Sequence, residues 1–300
     1  MDTAHRRRWF RLTFSLRTLL MLVLIAAIAT AWIAQRRQSE LELEIAHRVT
    51  SDEDDFKLAG PYDSLEVYLH GRVAWYNGLA GSLFGQRVLY ISSFRYDLED
   101  ISSLAQLTNL QSLDVSRVGI ADLAPLARLT KLRELFASSS PINDLAPLRY
   151  LSKLHTLEIN FTPVRDLSPL AGLAQLRSIS FYGSAVVDLA PLSSLTGLQY
   201  VDAHHTAVND LRPLATLLQL QHLDLDSTEV EDVTPLAALT NLEWLALDAT
   251  KVRDLAPLTA LASLQTLHLH VVPVSDAQVA ALQTALPNCK ISRNPPANAP

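Results

Sequence analysis

The residues best equipped for chemistry lie in the C-terminal half of this 300-residue chain. His204, Asp226, Asp248 and His270 follow one another at a constant interval, and His222 stands two positions before Asp224. Imidazole nitrogens and carboxylate oxygens are donors for a divalent cation, which neighbours in such a row could bridge. His222 beside Asp224 could also serve a hydrolase as general base. Against both readings, the sequence contains no nucleophile-elbow motif, no Gly-rich phosphate loop, no zinc signature and no closed ligand set. No catalytic residue, metal or cofactor is therefore assigned. The only cysteine, Cys289, allows no intrachain disulfide, and within LPNCKI it reads as a small buried hydrophobe.

What must position these side chains is a repeat. Eight consecutive units of equal length run from 99 to 274 without an insertion, each beginning twenty-two positions after the last, and a period of that length signals stacked supersecondary units. Each unit carries L-x-x-L-x-L/V/A/F followed by Ile or Val, as in Leu220, Leu223, Leu225 and Val230. That alternation predicts a short strand. The other half of the unit spaces its apolar residues by three, as in Leu123, Leu126 and Leu129, which predicts a short 3-10 or helical turn. One strand and one turn cannot bury their apolar side alone. Neighbouring units must stack, filling common columns with leucine and pairing their strands into one parallel sheet.

Two polar columns fit the same register. Asp100, Asp122, Asp144, Asp166, Asp188, Asp210, Asp232 and Asp254 recur once in every unit; a metal site is one reading, but each Asp also opens a helical turn whose unpaired N–H groups a carboxylate can accept. Seven of the eight are followed three residues later by proline, where a missing N–H does no harm. The second column, Ser140, Thr162, Ser184, Thr206, Thr228 and Thr250, is expected to hydrogen-bond the backbone as it bends after each strand.

The spacing and the LxxLxL core resemble the 22-residue class of leucine-rich repeats found in internalin-like bacterial proteins, over 176 of the 300 residues. The resemblance implies an α/β leucine-rich-repeat solenoid, with a parallel sheet on the concave face and short 3-10 or helical turns on the convex face. Where that class has Asn, this chain has Ser or Thr, with Val118 and Val272 in the end units, so an asparagine ladder is not carried over.

Strand residues between the leucines point to the concave face, because successive side chains alternate sides. Aromatics, histidines and aspartates gather there in repeats four to eight. Tyr182, Tyr200, Asp202, His204, His222, Asp224, Asp226, Trp244, Asp248, His268 and His270 are the expected binding surface. Leu223 is assigned to the core and Asp224 to the open face.

The net charge of −6 hides a split: residues 1–37 hold seven Arg against one Asp, and the rest holds 18 Lys and Arg against 30 Asp and Glu. With no basic stripe in the repeats, a nucleic-acid partner is not expected. The apolar stretch within 12–34, flanked on its N-terminal side by Arg6, Arg7, Arg8 and Arg11, predicts a transmembrane helix or signal anchor with a cytoplasmic basic N-terminus at 1–11. Its sequence also looks like the anchor of a group of bacterial membrane proteins that bear such repeats; cleavage as a signal peptide after 27–31 is the competing reading. A stalk and linker at 35–60, an N-terminal cap at 61–98, the repeats at 99–274, a C-terminal cap at 275–292 and a disordered tail at 293–300 complete the organisation. The chain is thus expected to be a single-pass cell-membrane protein, its repeats extracytoplasmic, that binds a protein or an envelope polymer through its concave face. A hydrolase using the His/Asp cluster of repeats five and six, and a passive structural envelope protein, are the alternatives.

Overall fold

In a computed structural model the described residues are 99–293, a strand at 90–92, and helical positions within 26–41. The protein is a leucine-rich-repeat solenoid. Among the described residues, ten strands of three residues each form one parallel sheet in sequence order: β1 (Tyr90–Ser92), β2 (Ser112–Asp114), β3 (Glu134–Phe136), β4 (Thr156–Glu158), β5 (Ser178–Ser180), β6 (Tyr200–Asp202), β7 (His222–Asp224), β8 (Trp244–Ala246), β9 (Thr266–His268) and β10 (Lys290–Ser292). Neighbouring repeats pair in a register of one whole unit, so that equivalent residues lie side by side, as Leu223 lies opposite Leu245. β1, within the stretch expected as the N-terminal cap, pairs in parallel with β2.

The leucine columns form the core. Leu126, Leu148, Leu170, Leu192, Leu214, Leu236 and Leu258 are all completely buried, and so is Leu223 with its column. Their spacing of three produces 3-10 turns, such as Ala124–Arg128, each closed by hydrogen bonds like that from the Leu126 N–H to the Leu123 carbonyl at 2.9 Å. The Asp column does what its place suggested. Asp122 Oδ1 accepts the N–H of Ala124 at 2.7 Å, and the same bond recurs in all eight repeats. These carboxylates are bound to backbone and face the convex side, so the metal reading of that column has no support in the geometry.

The hydroxyl column is buried at the bend after each strand. Thr162, Thr228 and Thr250 each donate to the carbonyl three residues back at 2.6 Å, and Thr206 donates likewise to Ala203. A hydroxyl here satisfies a carbonyl that the sheet has already left behind. One residue earlier, the chain enters the left-handed region: Arg117, Ser139, Phe161, His205, Ser227, Ala249 and Val271 have φ between 53 and 62°, with Gly183 at 64°. A side chain there is strained by about 1 to 2 kcal/mol. From Arg117 to Ala249 the solenoid holds it by bonding the N–H at each of these positions to the next repeat, as in His205 to the Asp226 carbonyl at 2.8 Å and Ala249 to His270 at 2.7 Å.

At the C-terminal end the helix Asp276–Ala285 covers the last coil, opened by a capping box between Ser275 and Gln278. Leu282 and Leu286 from this segment and Cys289 after it join the core. Cys289 is therefore the buried hydrophobe expected, with burial pushing its thiol pKa up. Most of the 12–34 segment, the stalk and the N-terminal cap lie outside the described residues; among those described, no helix is long and apolar enough to cross a membrane.

Candidate functional site

The concave face carries three columns of side chains, from the third, fifth and seventh positions counted from the first leucine of each L-x-x-L-x-L segment, which are His222, Asp224 and Asp226 in the segment that begins at Leu220. Parallel strands repeat at about 4.8 Å, close to the stacking distance of aromatic rings, so like residues in one column meet face to face. In the third column Tyr200 and His222 stack with centroids 4.4 Å apart at 14°, and His222 and Trp244 at 3.9 Å and 3°. Trp244 then meets His268 of the fifth column at 5.3 Å and 45°. In the seventh column Tyr182 stacks on His204 at 4.2 Å and 10°, and the exposed Phe161 meets Tyr182 edge-on at 4.5 Å.

This packing qualifies what the expected binding surface presents to solvent. Tyr182, Tyr200, His222 and Trp244 are only partly exposed, since the rings cover much of one another, and both faces of His222 are occupied. This part of the concave face is therefore lined by ring edges, with polar handles on Tyr, His and Trp. Burial lowers the pKa of His222, against an opposing effect from Asp202, and so favours the neutral ring. Burial and the charges of Asp202, Asp224 and Glu158 push the Tyr200 hydroxyl up to about 12.

The aspartates have backbone duties that the sequence did not disclose. The seventh residue of each segment presents an N–H to the concave side, and an oxygen must meet it. Where the preceding repeat has a short acceptor in that column it supplies the bond: Asn160 Oδ1 to Tyr182 N at 3.1 Å, Asp226 Oδ1 to Asp248 N at 2.6 Å, and Asp248 Oδ1 to His270 N. Tyr182 and His204 are rings. The repeats that follow them use their own fifth residue instead, Asp202 Oδ1 to His204 N at 3.2 Å and Asp224 Oδ1 to Asp226 N at 3.0 Å.

Asp202 is consequently not an open-face residue. It is 6% exposed, accepting the Ser180 hydroxyl at 2.9 Å and sharing 2.7 Å with Nδ1 of His204. The physical reason is lateral crowding: the Tyr200 and Tyr182–His204 ladders flank it on either side. Asp224 and Asp226 are half-buried, and desolvation raises both carboxyl pKa values, that of Asp226 to about 6, helped by the neighbouring charges of Asp224 and Asp248. Lys and Arg ion pairs join Arg212 to Asp210, Lys251 to Glu229 and Arg293 to Asp276. None of them reaches Asp202, Asp224, Asp226 or Asp248.

The row of His204, Asp226, Asp248 and His270 is present, but its carboxylates turn toward backbone and do not close four ligands on one point. Donor atoms converge instead in two groups that mix the fifth and seventh columns, Asp202–His204–Asp224 and Asp248–His268–His270. For the hydrolase reading, the stacked rings on either side of His222 leave no nucleophile bonded to it among the described residues. Sequence reasoning also passed over Phe161, which follows the seventh position and extends the ladder, and Ser292, whose hydroxyl lies 2.8 Å from Nε2 of His270.

No family model and no curated protein matches the sequence. Solved structures do. Internalin C2 of Listeria monocytogenes is 31% identical with a TM-score of 0.59, the match covering 64% of this chain and 86% of that one. Internalin F of the same organism is 24% identical with a TM-score of 0.55, over 68% and 73% of the two chains. A leucine-rich-repeat protein of Leptospira interrogans shares the fold at 20% identity, with a TM-score of 0.58 over 65% and 57%.

Proposed function

This chain belongs to the internalin-like leucine-rich-repeat proteins, and on that footing we propose that it is a membrane-anchored interaction module that receives a protein partner on the concave face of repeats four to eight. The observation that carries this reading is the in-register ladder Tyr200–His222–Trp244, flanked by Asp202 and Asp224, which no Lys or Arg pairs with among the described residues, on a sheet face over which, among the same residues, no element packs. Stacked rings are rigid, so little side-chain entropy is lost when a partner covers their edges. Tyr and Trp in such positions dominate binding energy at interfaces.

The charge distribution supports a basic partner surface. Repeats one to four hold eight Lys and Arg against eight Asp and Glu, whereas repeats five to eight hold three against eleven. That half would attract basic proteins and repel acidic polymers, with an association rate that falls as salt rises. For the anchor, the support is the uncharged run at 18–34 and the arginine excess ahead of it, which favour a cytoplasmic basic end and repeats across the membrane.

The test is capture of partners from the native envelope by the full chain and by a Tyr200→Ala, His222→Ala, Trp244→Ala triple variant. Cross-linking in the native membrane with mass spectrometry should yield a protein adduct that the triple variant loses. An adduct retained undiminished refutes the assignment of the face, and a polymer adduct in its place refutes the assignment of the partner.

A further inference from the structure

We propose that Asp248, His268 and His270 form a binding site for a divalent first-row transition ion of the zinc type, clamping repeats seven and eight together on the concave face. One donor atom from each of the three lies within 4.8 Å of the others. His268 and His270 are two apart on one extended segment, so both rings leave the same side, and their centroids are 6.4 Å apart at 71°. Donors bound to one tetrahedral zinc ion at 2.0–2.1 Å are about 3.4 Å apart. The three groups therefore need to close by little more than about 1 Å, within reach of small side-chain rotations.

An independent feature marks His270. Its Nε2 shares a hydrogen bond with Ser292 Oγ at 2.8 Å, while its Nδ1 is buried and has no partner. A buried polar nitrogen without a partner is costly, and a metal ion would satisfy it. With the proton on Nε2, Ser292 acts as the outer partner that fixes the ring and leaves the Nδ1 lone pair free, an arrangement usual for ligating histidines. Asp248 is anchored as well. Its Oδ1 holds the His270 N–H, and its Oδ2 makes no hydrogen bond among the described residues. No lysine or arginine ion pair competes for it among those residues.

The second convergent group, Asp202–His204–Asp224, is the weaker candidate. His204 Nδ1 already lies 2.7 Å from Asp202 Oδ1, and Asp202 also holds the Ser180 hydroxyl. Two imidazoles with one carboxylate favour zinc, copper or nickel over calcium and magnesium, which prefer all-oxygen shells. Three protein ligands leave at least one coordination position open toward the concave side.

The experiment titrates the full chain, in detergent micelles and freed of metal by chelation, with Zn2+ alone, followed by calorimetry and by the thermal midpoint. The expected result is one equivalent bound, a higher midpoint with Zn2+ as binding to the folded state requires, and no displacement by excess Ca2+. His268→Ala and His270→Ala should each weaken binding by about tenfold or more, and Ser292→Ala, a positioning change, by less but in the same direction. Each variant's far-UV spectrum and metal-free midpoint establish that it is folded. His204→Ala serves as the control and should bind as the parent does. Absence of stoichiometric binding, binding indifferent to His268→Ala, or binding lost in His204→Ala overturns the assignment.

Discussion

Replacing Asp226 by Asn tests the electrostatic account of the concave face most directly. Asp226 is half-buried, its Oδ1 holds the Asp248 N–H at 2.6 Å, and the charges of Asp224 and Asp248 add to desolvation to bring its pKa from 3.8 to about 6. A carboxyl whose pKa is higher folded than unfolded takes up a proton on folding within that window. Stability contributed by this group is therefore greatest below about pH 4, falls as pH rises through the window, and stays low above about pH 6. Two pKa units correspond to about 3 kcal/mol; on a side chain this exposed, solvent screening leaves about 1 kcal/mol. Asn keeps the oxygen that Asp248 N–H needs and removes the charge. Asp226→Asn should thus be more stable than the parent by about 1 kcal/mol at pH 7.5, a rise of about 2 to 4 °C in the midpoint for a domain of this size, and should match it at pH 4. Urea unfolding of both proteins at the two pH values, with a chelator present, measures this. A variant no more stable at pH 7.5, or equally stabilised at pH 4, refutes the claim that Asp226 is a strained charge.

Two further changes probe the scaffold. Leu223→Ala, at a completely buried position, should cost about 2 to 5 kcal/mol in urea unfolding, whereas Asp224→Ala, which removes the acceptor from the Asp226 N–H, should cost about 1 kcal/mol; equal costs would mean that the two faces are wrongly assigned. Thr228→Val deletes the buried hydroxyl that donates to the Leu225 carbonyl at 2.6 Å while keeping the volume, and should cost about 1 to 2 kcal/mol. Thr228→Ser should recover most of that loss, and a Ser variant no better than Val would show that packing, not the hydrogen bond, holds the bend.

Strict recurrence of one unit length made the scaffold legible in the sequence. The leucine columns, the three-residue spacing of the turns, the Asp and Thr columns and the side of the sheet on which each strand residue lies, though not its exposure there, all follow from it, because an unbroken repeat fixes which residues share a column before any distance is known. The site was legible only as a set of neighbours. Its inner arrangement depends on what a residue meets one coil away. Asp202 is buried because ring ladders crowd it, and it holds the His204 N–H because Tyr182, a ring, precedes His204 in the column. Asp248 meets His268 across columns and not along one. Periodicity assigns columns, whereas backbone N–H groups awaiting acceptors and rings meeting at the strand spacing settle the directions of the side chains, and those exist only once the coils are stacked.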